Sequence, residues 1–422
     1  MSVMVPALLV AAPMALLLFT VERQPAAPTG TRISYAEIKH AHRLLARYDP
    51  RKMPTNRTTV MRATERDLKA AFAGGIAALP RLGGTIAITP YGVTFTLTGA
   101  LPVPSNPLGR YVNLRLTVAP SPKGLVISRF ALGKIEIPTV IVDPGFRLLF
   151  DQLIGPGWGK AMMESVQSVT VAGKTVSVTV LPPKRLVENL TTAARRIAFA
   201  GDPAKVRPYY RKLARLSRDR TKEGPSSLAM YIRPLFSLAR DRSENGNPVA
   251  ENRAAILALA LYFGDSRFAQ MIGKVGAGER HNDRPSAGKA RLAGRRDLVR
   301  PFTVSAGLAL LGGDSVAGLL GEAKEVQDSI GGSGFSFADL AADRAGVRFA
   351  RSATVSAASA RRFQAAFSRR FIERDLFPRS LDLPEGLNEA AFRRRYRDIN
   401  HPDYDRLIAE IDRRIDVLPL YR

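Results

Sequence analysis

The chain has 422 residues, 45% of them hydrophobic, which is enough for two or three domains with cores of their own and too apolar for a disordered chain. It has no cysteine, which excludes disulfides and thiolate metal sites, and its four histidines (His40, His42, His281, His401) show no ligand spacing, so neither a metal nor a cofactor is expected. With 63 Lys and Arg against 37 Asp and Glu the formal charge is +26, which favours anionic surroundings such as phospholipid head groups, acidic wall polymer or nucleic acid.

Residues 3–21 are almost wholly apolar and carry no charge before Glu22 and Arg23, a length that suits a membrane span or signal segment. Residues 1–24 are therefore expected to be an anchor, a single N-terminal transmembrane helix. Residues 34–48 have the spacing of a helix, and Thr64 with Asp67 forms a capping box opening a second one over 65–79. The period then changes to two. Val93, Phe95 and Leu97 alternate with threonines; Val112, Leu114, Leu116 and Val118 alternate with polar residues, as do Val176, Val178 and Val180. Segments 125–130 and 134–137 supply two further strands of an antiparallel sheet with one wet face. Residues 146–154 (FRLLFDQLI) form an apolar helix laid across the dry face, either closing a core or covering an elongated groove.

Pro182 and Pro183 end this 31–182 domain. Helical patterns follow over 186–199, 203–217, 226–240 and 248–263, giving an expected helical domain over 184–272. The stretch 254–263 is too short to span a bilayer and reads as a core helix. The second of these helices carries a basic stripe (Arg207, Arg211, Lys212, Arg215, Arg218) beside Tyr209 and Tyr210, read as a solvated face or an anionic-lipid contact before a nucleic-acid contact. A Gly, Arg and Ser-rich connection over 273–294 leads to a last helical domain, 295–422. The expected class is thus α+β: a transmembrane helix, an antiparallel sheet packed with helices, and an all-α C-terminal half.

The sharpest local feature is an inversion of charge over 321–346, GEAKEVQDSIGGSGFSFADLAADRAG. Glu322, Glu325 and Asp328 recur every three residues and share a helix face, so they need solvent, a cation or a shared proton. Lys324 is too close in sequence to face them, whereas Arg344 or the basic run 291–300 could be folded in. The glycine-rich turn at 331–334 reverses the chain; Ser336 with Asp339 starts a second helix, and Gly346 is its expected stop. Glu325, Asp328, Asp339 and Asp343 are the candidate catalytic residues, as acid and base or as oxygen ligands of a cation. Alternatively Asp339 is only a cap and the others a polar surface.

The stretch 297–346, with its Lys-Glu pair, the Asp three residues later, GGSGFSF and DLAAD, resembles the YfiM-like family of small predicted periplasmic lipoproteins, whose biochemical activity is unassigned. That family carries a His-Phe pair before its first helix; here the place reads Arg300, Pro301, Phe302, and no lipobox cysteine exists. Residues 34–182 are similar in pattern to YpmS-like envelope proteins thought to resemble tubular lipid-binding modules. This resemblance implies an apolar ligand between the sheet and the helix, with Phe146, Leu149, Phe150 and Ile154 as its contacts.

No GxSxG, Walker, dinucleotide or HExxH motif is present, and the GGSG turn lacks the lysine and preceding strand of a phosphate loop. The expected function is a non-enzymatic, membrane-anchored envelope protein of the bacterial inner membrane, its body in the periplasm, binding a lipid or an anionic polymer. The alternative is a carboxylate-dependent hydrolase of envelope polymer built on Glu325, where one protonated and one ionised carboxyl could cleave a glycosidic bond. A second alternative is a cytoplasmic-facing nucleic-acid binder, although nucleic acid is not the expected partner.

Overall fold

The computed structural model describes the chain except for residues 1–19, 31–32, 50–52, 55–56, 77–78, 80, 104–108, 187, 190–202, 220–223, 265–288, 313 and 369–370. It is α+β and divides into two compact units, residues 1–193 and 194–422. The helix expected over 186–199 lies largely outside the described residues, as does most of the 273–294 connection.

In the first unit, α1 (Tyr35–Arg47) opens on a capping box in which Ser34 and Glu37 satisfy each other's backbone N–H groups. After β2 (Thr59–Thr64), Thr64 and Asp67 do the same at the start of α2 (Glu65–Ile76), as the sequence predicts. A meander of β3 (Leu82–Thr89), β4 (Gly92–Ala100), β5 (Tyr111–Ala119), β6 (Val126–Leu132) and β7 (Ile135–Glu136) forms the larger sheet, paired antiparallel in that order. The β3–β4 reversal demands a glycine: Gly92 has φ of 136°, and a Cβ there would lie 2.0 Å from the Val118 carbonyl oxygen. β2, β9 (Thr175–Val180) and β8 (Val166–Ala172) make a second sheet, in the order β2-β9-β8. Ile86, Ile88, Val93, Val169 and Val176 from the two sheets form one core, closed by Leu68 and Phe72 of α2. Between β7 and β8 lie α3 (Thr139–Leu153) and the short α4 (Trp158–Ser165).

The transmembrane helix expected at the N-terminus is corrected. Residues 1–19 lie outside the described residues, but the end of the expected 1–24 span is sheet: Val21 and Glu22 form β1, pairing with Val112 and Tyr111 of β5. Asn113, fully buried, ties the next residues to that edge, donating to the Gln24 carbonyl at 3.0 Å and accepting from the Ala26 N–H at 2.9 Å. Among the described residues no helix is long and apolar enough to cross a membrane.

The second unit is helical apart from the two-residue β10 (Ser226–Ser227) and β11 (Ala290–Arg291), which pair in parallel. Its elements are α5 (Pro203–Asp219), α6 (Ala229–Ser243), α7 (Pro248–Phe263), α8 (Val299–Gly312), α9 (Asp314–Gly331), α10 (Phe337–Thr354), α11 (Ala357–Ser368), α12 (Glu389–Tyr396) and α13 (Pro402–Asp416). α7 is apolar around its circumference and buried along nearly its whole length, which is the pattern of a central helix. It packs against α5, α6, α8, α10 and α11. The stop expected at Gly346 is also corrected, since α10 continues to Thr354. The glycine is there for close approach instead: a Cβ would stand 2.1 Å from the Phe302 carbonyl oxygen of α8.

Candidate functional site

The acidic stretch folds into α9, the turn and the start of α10, and the structure brings all four predicted carboxylates near one cation. That cation is Lys324, the residue whose place in sequence argued against it. Its Nζ lies 2.5 Å from Glu325 Oε1, 3.1 Å from Asp328 Oδ2 and 3.3 Å from Asp339 Oδ2. Asp328 is one helical turn on, and the four-carbon stem lets the ammonium reach its own neighbour and the facing helix together. Of the two expected partners, Arg344 instead grips Asp412 of α13, and Arg295 of the basic run 291–300 pairs with Asp297 and Glu385.

The carboxylates then differ by burial. Glu325 is 0% exposed, and its second oxygen accepts the Ser336 N–H at 2.8 Å. Ser336 caps α10 through the Asp339 N–H at 3.1 Å, so the return half of the capping box comes from Glu325 of the preceding helix and not from Asp339. Asp343 is 4% exposed; the Ser305 hydroxyl donates to one oxygen at 2.6 Å, and the other oxygen has no partner. That oxygen lies 2.7 Å from where a Cβ of Gly321 would stand, so it faces the backbone of α9. Glu322, which shares the face, instead accepts from the Tyr404 hydroxyl at 3.3 Å.

Burial sets the proton affinities. Loss of solvent pushes Asp343 up to about 6, against the Ser305 hydrogen bond and the Lys324 charge. It pushes Glu325 up to about 7, with Asp339 adding to the rise and Lys324 and the Ser336 N–H opposing it. Lys324 is itself raised: desolvation works against its charge and is outweighed by Glu325, Asp339 and Asp343. Among the described residues no group of His, Asp and Glu could hold a metal ion, and the cation of this cluster is the lysine ammonium. A carboxyl with no exposed surface, fixed by a lysine and a backbone N–H, locks α9 to α10 and offers no face to a glycosidic bond.

The predicted ligand contacts are split by α3. Phe146 sits edge-on to Phe130 of β6 with ring centroids 6.1 Å apart, Ile154 is buried, and Phe150 is half-buried, so these three are turned inward. Leu149 faces outward. With it are residues the sequence reading omitted: Val140 (78% exposed), Ile141 (60%), Leu148 (61%), against 49% for Leu149 itself. Gly145, between them, has nothing within 4 Å of a Cβ position. The signal was available in the apolar run Thr139–Val142, which the helix expected over 146–154 leaves out; α3 starts seven residues earlier and accommodates Pro144 inside it. Beside α3 a pocket of about 530 Å³ is lined by two bases, Lys123 and Arg147, and two acids, Asp143 and Glu164, with Leu125 and Met163 among the apolar residues. Comparison with known proteins finds no match to a family model, to a curated protein or to a solved structure.

Proposed function

We propose that the protein is a non-enzymatic lipid-surface binder, and that the outer face of α3 docks on an anionic phospholipid surface of the cell envelope. The observation that carries this is the exposed row Val140, Ile141, Leu148 and Leu149 on a helix that is apolar on both sides. Apart from the stripe Asp143, Arg147 and Asp151 the helix is apolar, and an apolar helix face left without a protein partner is suited to a lipid surface. Fully burying a Val, Leu or Ile side chain contributes roughly 1.5–3 kcal/mol; with half or more of each still exposed, docking gains about 1 kcal/mol per residue, or about 4 kcal/mol together.

Charge supplies the complement. The first unit carries 22 Lys and Arg against 10 Asp and Glu, and Lys123 and Lys134, both exposed near α3, form no ion pair among the described residues. Each basic residue held near an anionic bilayer adds about 1 kcal/mol. In the pocket beside α3, Arg147 is paired with Asp143 at 2.8 Å, which leaves Lys123 as the base there with no ion pair among the described residues, beside Leu125, Met163 and Val166.

Co-sedimentation with vesicles tests this. The full chain is expected to pellet with phosphatidylglycerol-containing vesicles and to stay in solution with pure phosphatidylcholine. Ile141→Ser with Leu148→Ser should weaken partitioning about thirtyfold, the equivalent of the roughly 2 kcal/mol of apolar burial removed. A wild-type chain that ignores anionic vesicles refutes the proposal.

A further inference from the structure

A second pocket in the first unit, on elements remote in sequence from α3, has no part in the docking just described. It measures about 530 Å³ and lies among α1, α2 and the β8–β9 turn, taking His40 and Glu37 from α1, Glu65, Arg66 and Lys69 from the start of α2, and Lys174 from the turn. Its acids are already engaged. Glu65 gives one oxygen to Lys69 at 2.7 Å and the other to Lys174 at 2.8 Å and the Ile88 N–H at 3.0 Å. Glu37 caps α1 with one oxygen, Oε2, which accepts both the N–H and the hydroxyl of Ser34 at 2.8 Å. Asp67, at the rim, accepts the N–H and hydroxyl of Thr64.

The bases are not exhausted. Arg66 forms no ion pair among the described residues, and its guanidinium keeps five donors in a planar fork. Lys69 spends one of its three donors on Glu65, and Lys174 spends two, on Glu65 and the Ile88 carbonyl. His40 is turned so that Nδ1 meets Arg43 and Nε2 lies 3.9 Å from Asp67.

We infer that this pocket is a binding site for a phosphate group, held by the free guanidinium of Arg66 and the spare ammonium donors of Lys69 and Lys174, with His40 taking up a proton from solvent as the anion enters. Independent electrostatic support comes from His40 itself. Its proton affinity is lowered by burial and then by the charges of Arg43 and Arg66, with Asp67 alone opposing, which marks the pocket as positive where it is empty of anion. An anion placed there opposes that field, and by linkage it binds more tightly when the imidazole is protonated.

The phosphate could be free or part of a lipid head group, and the experiment separates the two. In the full chain, the four histidine ring signals are followed through a pH titration by NMR, with His40→Gln identifying the fourth. Added inorganic pyrophosphate should raise the apparent pKa of His40 and leave the other three unmoved, and its affinity should be several-fold higher at pH 5.5 than at pH 8. Arg66→Gln, an exposed change that breaks no contact, should weaken that affinity about tenfold and raise the resting pKa of His40. A response to phosphatidylglycerol vesicles but not to pyrophosphate assigns the site to head groups. Silence of His40 toward both probes overturns the proposal. Ile141→Ser with Leu148→Ser should weaken vesicle docking about thirtyfold and leave the pyrophosphate response intact, so the two proposals fail separately.

Discussion

Asp343→Asn gives the sharpest test of the buried acidic cluster. The carboxyl is 4% exposed, one oxygen accepts from Ser305, and the other lies unpartnered against Gly321. Its proton affinity rises from 3.8 to about 6, roughly two units, and each unit is worth 1.36 kcal/mol, so the ionised form costs the fold on the order of 3 kcal/mol. The sign follows from proton counting. Between pH 3.8 and about 6 the folded chain holds a proton that the unfolded chain has released, so stability falls as pH rises through that window and is flat beyond it. Asparagine keeps the acceptor for Ser305 and cannot ionise. In urea unfolding of the full chain followed by far-UV circular dichroism, the stability of the variant relative to wild type should grow by about 1–2 kcal/mol from pH 5 to pH 7, then level off. A difference between the two that is constant from pH 4 to pH 7 would mean that the carboxyl is solvated or charged throughout, and the burial argument fails.

Further outcomes follow from other contacts. Gly346→Ala places a methyl 2.1 Å from the Phe302 carbonyl oxygen, forcing α8 and α10 apart; thermal unfolding should report a loss of about 4 kcal/mol or more. Asn252 is fully buried in α7, donates to the Ala353 and Ala360 carbonyls at 2.8 and 3.2 Å and accepts from Gln364 at 2.8 Å. Asn252→Ala strands all three partners and should cost about 2–4 kcal/mol by urea unfolding. Lys324→Met removes the ammonium that bridges Glu325, Asp328 and Asp339, and a loss of about 3–5 kcal/mol at pH 8 should shrink by pH 5, where the carboxyls take up protons.

Much of the local architecture was legible in the sequence because its signals are short-range. Alternation at Val93–Leu97, Val112–Val118 and Val176–Val180 marks strands since one face of each is buried, and the Thr64–Asp67 box marks a helix start. β3 escaped notice because Gly83 and Gly84 interrupt its alternation; tertiary crowding explains the first, where a Cβ would lie 2.0 Å from the Pro28 carbonyl oxygen. Gly346 misled for a related reason, as a glycine demanded by a crossing helix looks like one demanded by a helix end. At the acidic site the residue types were visible and their division of labour was not. Lys324 was set aside on backbone direction, which ignores how far an ammonium on four methylenes can swing, and Glu325 completes a cap eleven residues away, a pairing no local pattern encodes. The anchor expectation came from hydropathy alone, and hydropathy cannot see that Val21 and Glu22 are claimed by the edge of β5.

The central claim, that α3 meets lipid with its outer face, is tested most directly by a probe on that face. The chain has no cysteine, so Leu148→Cys accepts a single environment-sensitive fluorophore, and Thr170→Cys on the exposed side of β8 serves as the control. With phosphatidylglycerol vesicles the account predicts a blue shift, and quenching by nitroxide lipids, at position 148 and neither at 170. A probe at 148 that keeps its aqueous spectrum while the protein pellets with the vesicles would contradict it.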